Sequence, residues 1–220
     1  MDQVASYIQT ISIVALPIMF AIITHEVMHG AVALRLGDDT AQRAGRLTLN
    51  PISHIDLFGT LILPAILVFL HLPVFGYAKP VPVDFSRLRG GRSGMVKVAA
   101  AGPLTNFALA ILSAIALRWI ATIHWSPDLL RTVAQPLGQM LYASVGVNVA
   151  LGVFNLFPLL PLDGGRVLIG LLPLPAARAF AQTERYGFLI LLMLLSLGWV
   201  NPVIDPIIRA TLNLISRTLL

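Results

Sequence analysis

The chain has no cysteine. That excludes a disulfide framework, a thiolate zinc site and a cysteine nucleophile, and says little about compartment. Charge is scarce as well: Asp, Glu, Lys and Arg make up 11% of the 220 residues, against roughly 25% in ordinary soluble domains. So few charges could not cover a soluble surface of this size, and 57% hydrophobic residues with a mean hydropathy of +0.84 could not be hidden beneath it. The bilayer is therefore the expected solvent. Acid is scarcest, with ten acidic against fifteen basic residues and a net charge of +5. Taken alone, that surplus would suggest nucleic acid. The basic residues cluster between apolar runs, however, which is how membrane proteins orient themselves, so no nucleic-acid partner is expected. A cleavable signal peptide is also missing: the first apolar run is long, lacks a basic leader and runs into a polar cluster, so the first helix is expected to stay.

What the chain does have is long uncharged runs, and a helix needs about 20 apolar residues to cross the hydrocarbon core. Four runs qualify: Gln3 to Thr24, continuing through His25, Glu26 and His29; Val98 to Leu117; Thr132 to Leu162; and Tyr186 to Ile204. Pro158 and Pro161 make the tail of the third run non-helical. A fifth run, Leu57 to Ala78, is broken by Gly59, Pro64, Pro73 and Gly76, and its short core favours a re-entrant or tilted helix. Gly76 to Val83 alternates and carries prolines as an edge strand or extended loop would. Pro206 to Leu220 reads as an interfacial segment or a last short span. The expectation is one all-α polytopic membrane domain over residues 1–220, with five or six hydrophobic segments and a small membrane-associated β element. Arg35, Arg43 and Arg46 in one loop, and Lys79, Arg87, Arg89, Arg92 and Lys97 in another, place both loops in the cytoplasm by the positive-inside rule.

His25-Glu26-Val27-Met28-His29 is an HExxH pattern. Residues i and i+4 share a helix face, so both imidazoles can reach one zinc ion. Glu26, about 100° around the helix, stands beside the metal, where it can take a proton from a water on it. The plain alternative is a chance match or two packing histidines. Against it, an ionisable residue inside a membrane helix costs about 2.5–3.5 kcal/mol on insertion scales. Three together, with no Lys or Arg nearby, need a compensating partner, and a divalent cation is one. Two histidines leave the metal short of a protein ligand. Asp163 is the candidate: it ends the third apolar run and is the only acid there, before Gly164 and Gly165. By itself, Asp before two glycines would be ordinary turn chemistry.

HExxH in a membrane helix, followed by Asn155-Leu-Phe-Pro-Leu-Leu-Pro-Leu-Asp163-Gly-Gly165, resembles the site-2 protease family of intramembrane zinc metalloproteases, the M50 peptidases, whose second motif reads N-x-x-P-x-x-P-L-D-G. Gly102-Pro-Leu-Thr-Asn106 is similar to that family's G-P-x-x-N. Leu47 to Pro51, His54 to Asp56 and Gly76 to Pro80 look like its short bacterial and archaeal subgroup, which lacks PDZ and CBS domains. The likeness covers about residues 24–166 and leaves the hydrophobic segments in 185–220 unassigned.

The resemblance implies one zinc per chain on His25, His29 and Asp163, with Glu26 as general base. It implies Asn155 near the metal, either steadying an oxyanion or holding substrate backbone, with a helix-packing hydrogen bond as the plain alternative. Asn148, on the same helix face, serves the same groove or merely glues helices. Gly76, Tyr77, Lys79 and Pro80 belong to an extended segment that could hold an unwound substrate by main-chain pairing; without the resemblance it is an ordinary loop. The implied partners are a transmembrane protein or peptide substrate and the lipid bilayer. The location is a bacterial or archaeal plasma membrane with the site toward the cytoplasm, and homo-oligomer contacts stay open as one source of substrate selection.

Three rivals are weaker. Gly91-Arg-Ser-Gly94 matches the G-x-S-G of rhomboid serine proteases, but it lies in a basic loop and the histidines it would need are already in HExxH. Prenyl-protein-processing zinc proteases use a downstream glutamate, and the only other one, Glu184, sits in a basic loop. A zinc transporter or inactive binding relative would have no use for Glu26. His54, Asp56, His71 and His124 read as loop or interface residues.

Overall fold

In a bilayer, backbone polar groups must be satisfied within the segment itself, and long apolar runs answer with helix. The computed structural model describes residues 2–71 and 76–219, which are largely helical and contain no assigned strand. Eight helices make the frame: α1 (Asp2–Arg35), α2 (Leu63–Phe69), α3 (Arg92–Thr122), α4 (Gln135–Asn155), α5 (Asp163–Leu171), α6 (Leu174–Ala181), α7 (Glu184–Ser196) and α8 (Asn201–Leu219). Single turns and two π-helical turns, Leu57–Ile62 and Leu130–Ala134, join them.

Among the described residues, three stretches are long and apolar enough to cross a membrane: Ile13–Arg35, Arg92–Thr122 and Pro127–Asn155. They correspond to the first three apolar runs. The fourth run, expected as one span, is broken between α7 and α8, which meet at 78°. Gly198 adopts a φ of 69°, a left-handed end to α7, and Pro202 suits the first turn of a new helix. The pair counts as a fourth span only if both arms are taken together. The expected tail segment is the main part of α8. Its Ile204, Ile208, Leu212 and Ile215 recur at helical spacing and pack on Ala110 and Ala114 of α3 and Val145, Val149 and Val153 of α4.

Helices α1, α3 and α4 pack against one another, and α5 lies on α3. Without a hydrophobic drive between helices in lipid, close approach through small residues holds such contacts together. At Gly152 of α4, a Cβ would come within 3.0 Å of the Phe107 ring of α3.

Residues 76–83 are extended, as expected, but they are not assigned as a strand. Their donors go to scattered acceptors: Tyr77 N to Gly59 O at 3.0 Å, Lys79 N to His54 O at 2.9 Å and Val81 N to Glu26 Oε2 at 3.0 Å. Pro80 and Pro82 remove the intervening N–H groups, which a ladder on the other side would need.

Candidate metal centre

Helix α1 carries His25 and His29 one turn apart, with ring centroids 4.7 Å apart and planes at 83°. Asp163 arrives on the first turn of α5, after a stretch of turns over 156–162. Those turns explain the glycines after it. A Cβ at Gly165 would sit 2.7 Å from Leu159 C and Leu160 N, so α5 can begin against this backbone only without side chains. The prolines end α4's run, as expected, whereas the glycines open a helix.

The three groups converge. Asp163 Oδ2 lies 3.1 Å from His25 Nε2 and 3.2 Å from His29 Nε2, and the two Nε2 atoms are 3.1 Å apart. His29 Nδ1 lies 2.7 Å from Val98 O, a carbonyl that can only accept, so the proton of the neutral ring is on Nδ1. His25 Nδ1 lies 2.6 Å from Asn106 Oδ1, likewise an acceptor. With both rings neutral, each turns an Nε2 lone pair inward, and Asp163 Oδ2 is then buried with no hydrogen-bond donor among the described residues.

Two imidazole nitrogens and a carboxylate oxygen this close need a proton or a cation among them, and a metal ion satisfies all three at once. Their spacing suits the edge of a zinc tetrahedron, about 3.3 Å for bonds near 2.05 Å. Room is kept as well. A Cβ at Gly102 of α3 would come 2.5 Å from His29 Nε2 and 2.6 Å from His25 Nε2. The donor set and the space both fit a divalent metal.

Glu26 is half-buried beside them and accepts from Val81 N. A cavity of about 710 Å³ opens onto His25, Glu26, His29 and Asp163, and Asn155, Gly76, Tyr77 and Pro80 also line it. Asn155 Nδ2 donates to Leu151 O of its own helix at 3.0 Å. Lys79 is exposed and outside the cavity lining. Asn148 is also outside it, buried against Asn106.

Two further residues build the site without having been singled out by their motifs. Arg46, 8% exposed, donates through Nη2 to Lys79 O at 2.7 Å and contacts Pro80 O at 3.4 Å, clamping the extended segment. Asp38, wholly buried, accepts from Thr40 N, Thr40 Oγ1 and Asp84 N at 3.0, 2.5 and 2.7 Å, tying the end of α1 to the far end of that segment. Burial works to raise the Asp38 carboxyl, but these hydrogen bonds and the Arg87 charge outweigh it and hold the group below its ordinary value of 3.8. An Arg followed by Leu-Thr-Leu-Asn-Pro, or an Asp after a glycine, reads as loop polarity, so only the fold reveals these partners.

An all-helical membrane protein with two histidines and an aspartate gathered in its apolar interior has the make-up of a membrane metalloprotease. The family described as Peptidase family M50 matches residues 120–197. The chain is 37% identical over 187 residues to "Putative zinc metalloprotease YwhC" of Bacillus subtilis (strain 168), covering 84% of this chain and 81% of that protein. It is 29% identical over 191 residues to "Putative zinc metalloprotease Rip2" of Mycolicibacterium smegmatis (strain ATCC 700084 / mc(2)155), covering 86% and 69% respectively. No solved structure matches. The chain belongs to peptidase family M50, the site-2 protease family, and is a metalloprotease.

Proposed function

We propose that the protein is an intramembrane zinc endopeptidase that hydrolyses peptide bonds of transmembrane substrates. One zinc ion is held by His25, His29 and Asp163. The observation that carries this reading is the convergence of three potential ligand atoms, His25 Nε2, His29 Nε2 and Asp163 Oδ2, at 3.1–3.2 Å in the apolar interior. When bound, the metal supplies Lewis acidity to the attacking water and the scissile carbonyl.

The chain's own residues do the rest. Glu26 removes a proton from the attacking water as its oxygen bonds to the carbonyl carbon. It then returns that proton to the departing amine as the C–N bond breaks. One Glu26 oxygen is steadied by Val81 N, leaving the other for the proton. Asn155, on the cavity wall, has a second amide hydrogen to offer the oxyanion. The extended segment through Gly76, Tyr77, Lys79 and Pro80 holds an unwound stretch of substrate by main-chain pairing at Ala78, which lines the cavity between the inward-bonded Tyr77 and Lys79, so the β element is this short pairing and not a full ladder.

In the same reading the whole chain, 1–220, is one membrane-embedded protease domain. It has five or six hydrophobic segments once Leu57–Phe69 and the two arms α7 and α8 are set in the bilayer. The basic loops turn the site toward the cytoplasmic face of a plasma membrane.

The test is to reconstitute the full chain in nanodiscs, measure bound zinc by elemental analysis, and follow cleavage of a membrane-helix peptide. One zinc per chain and slow cleavage by Glu26→Gln are expected. A Glu26→Gln variant as fast as wild type would sink the assigned mechanism, and full zinc occupancy in Asp163→Ala would sink the ligand set.

A further inference from the structure

Asn106 on α3 and Asn148 on α4 are among the most deeply buried side chains, 0% and 1% exposed. An amide group left unpaired in such a place costs about 1–3 kcal/mol. Their hydrogen bonds run in one direction. Ser144 O can only accept, so the nitrogen end of Asn148 faces it, at 2.9 Å, with Ser144 Oγ 3.1 Å from the same nitrogen. Asn148 Oδ1 is thereby turned to Asn106, whose Nδ2 donates to it at 2.9 Å and to Ala21 O at 3.3 Å. Asn106 Oδ1 is left facing His25 Nδ1 at 2.6 Å, where it requires the ring proton on that nitrogen.

We propose that Asn148 and Asn106 form a directional relay that fixes the tautomer of His25, so that Nε2 keeps its lone pair for the metal. The relay rests on the zinc reading above. Asn106 is a positioning residue for a ligand, and Asn148 sets which way the Asn106 amide faces. A reversed Asn106 would offer N–H to Nδ1, drive the ring proton to Nε2 and remove the ligand lone pair. Reversal is opposed because Asn106 Oδ1 would then face Asn148 Oδ1 and Ala21 O, two acceptors. His29 needs no such device, since Val98 O is main chain and cannot turn over. One histidine is thus oriented by backbone and the other by two side chains from two further helices.

The experiment uses the full chain in nanodiscs and measures zinc affinity by competition with a chromophoric chelator. Thermal stability of the metal-free protein is measured in parallel. Loss of an outer hydrogen-bond partner typically weakens metal binding by about 10–100-fold. Asn106→Leu is expected to fall in that range. Asn106→Asp keeps an acceptor toward His25 and is expected to recover most of the affinity. Asn148→Leu leaves Asn106 free to turn and is expected to lie between them. In ¹⁵N-histidine spectra of the zinc-loaded wild type, His25 should carry its proton on Nδ1.

A purely structural role would lower the stability of the Leu and Asp variants at 106 without separating their zinc affinities. Equal affinity of Asn106→Leu and wild type overturns the relay. If Asn106→Leu does not fold, equal affinities of Asn106→Asp and Asn148→Leu overturn it instead. A wild-type protein that binds no zinc, or a His25→Ala variant that binds it as tightly, overturns the zinc reading and the relay with it.

Discussion

The backbone N–H of Val81 donates to Glu26 Oε2 at 3.0 Å, so the extended segment grips the carboxylate that stands beside His25 and His29. Pro80 and Pro82 have no N–H, which leaves Val81 as the one donor in that triplet. The sequence thereby aims a single amide at a single acid.

Replacing that acid tests its role with little disturbance. In Glu26→Gln the amide oxygen can still accept from Val81 N, so the fold and the zinc content should be kept. The cleavage rate should drop by about 10²–10⁴-fold, the usual share of a general base. Elemental analysis and peptide cleavage on one preparation give both readings, and lost zinc would show that Glu26 helps to hold the metal.

Gly102 supplies a second, steric test. In Gly102→Ala the methyl group would lie 2.5 Å from His29 Nε2 and 2.6 Å from His25 Nε2, the atoms assigned to the ion. The variant should bind zinc weakly or not at all while keeping its helical circular dichroism. Zinc content equal to wild type would mean that the metal does not occupy this corner.

Arg46 should act through the extended segment. Arg46→Met removes donors to Lys79 O and Pro80 O, and hydrogen bonds from a charged group contribute about 1.5–3 kcal/mol. The expected result is faster amide hydrogen exchange at Val81 together with a lower turnover rate. Exchange at Val81 as slow as in wild type would separate Arg46 from the grip on Glu26.

Asp38 predicts an acid limit. Its carboxyl is held below the ordinary 3.8 in the folded chain, so it binds protons more weakly there than when unfolded. Its stabilising contribution is complete above that value and is lost as the pH falls through the lower folded value. Thermal unfolding from about pH 5 down to about pH 3 should show a stability loss that is smaller in Asp38→Asn. Equal slopes in the two proteins would assign the acid limit to other groups.

Much of this architecture is legible in the residues. Runs of uncharged apolar residues mark α1, α3 and α4, because a bilayer leaves a chain few other choices. The i, i+4 histidines and the lone acid ending the third run name the three converging groups. The break at Gly198 is written in a glycine followed by a proline, yet a hydropathy reading passes over it since both flanks are equally apolar. The extended segment is visible in its prolines, while its partners are not. A carbonyl at His54, another at Gly59 and the Glu26 side chain share no sequence period. Asn106 is the hardest to read, since an amide in an apolar helix reads as packing glue until a second amide and a histidine are found on either side of it.

His25 and His29 come from the first helix and Asp163 from the second half of the chain, so an ion shared by them would close a loop containing α2, α3 and α4. Ligand held only by the folded state enters the folding equilibrium, adding roughly 2.7 kcal/mol when free ligand is a hundred times its dissociation constant. Copies made when the metal is scarce would be idle and also easier to unfold, which ties the lifetime of this protease in the membrane to the supply of its ion.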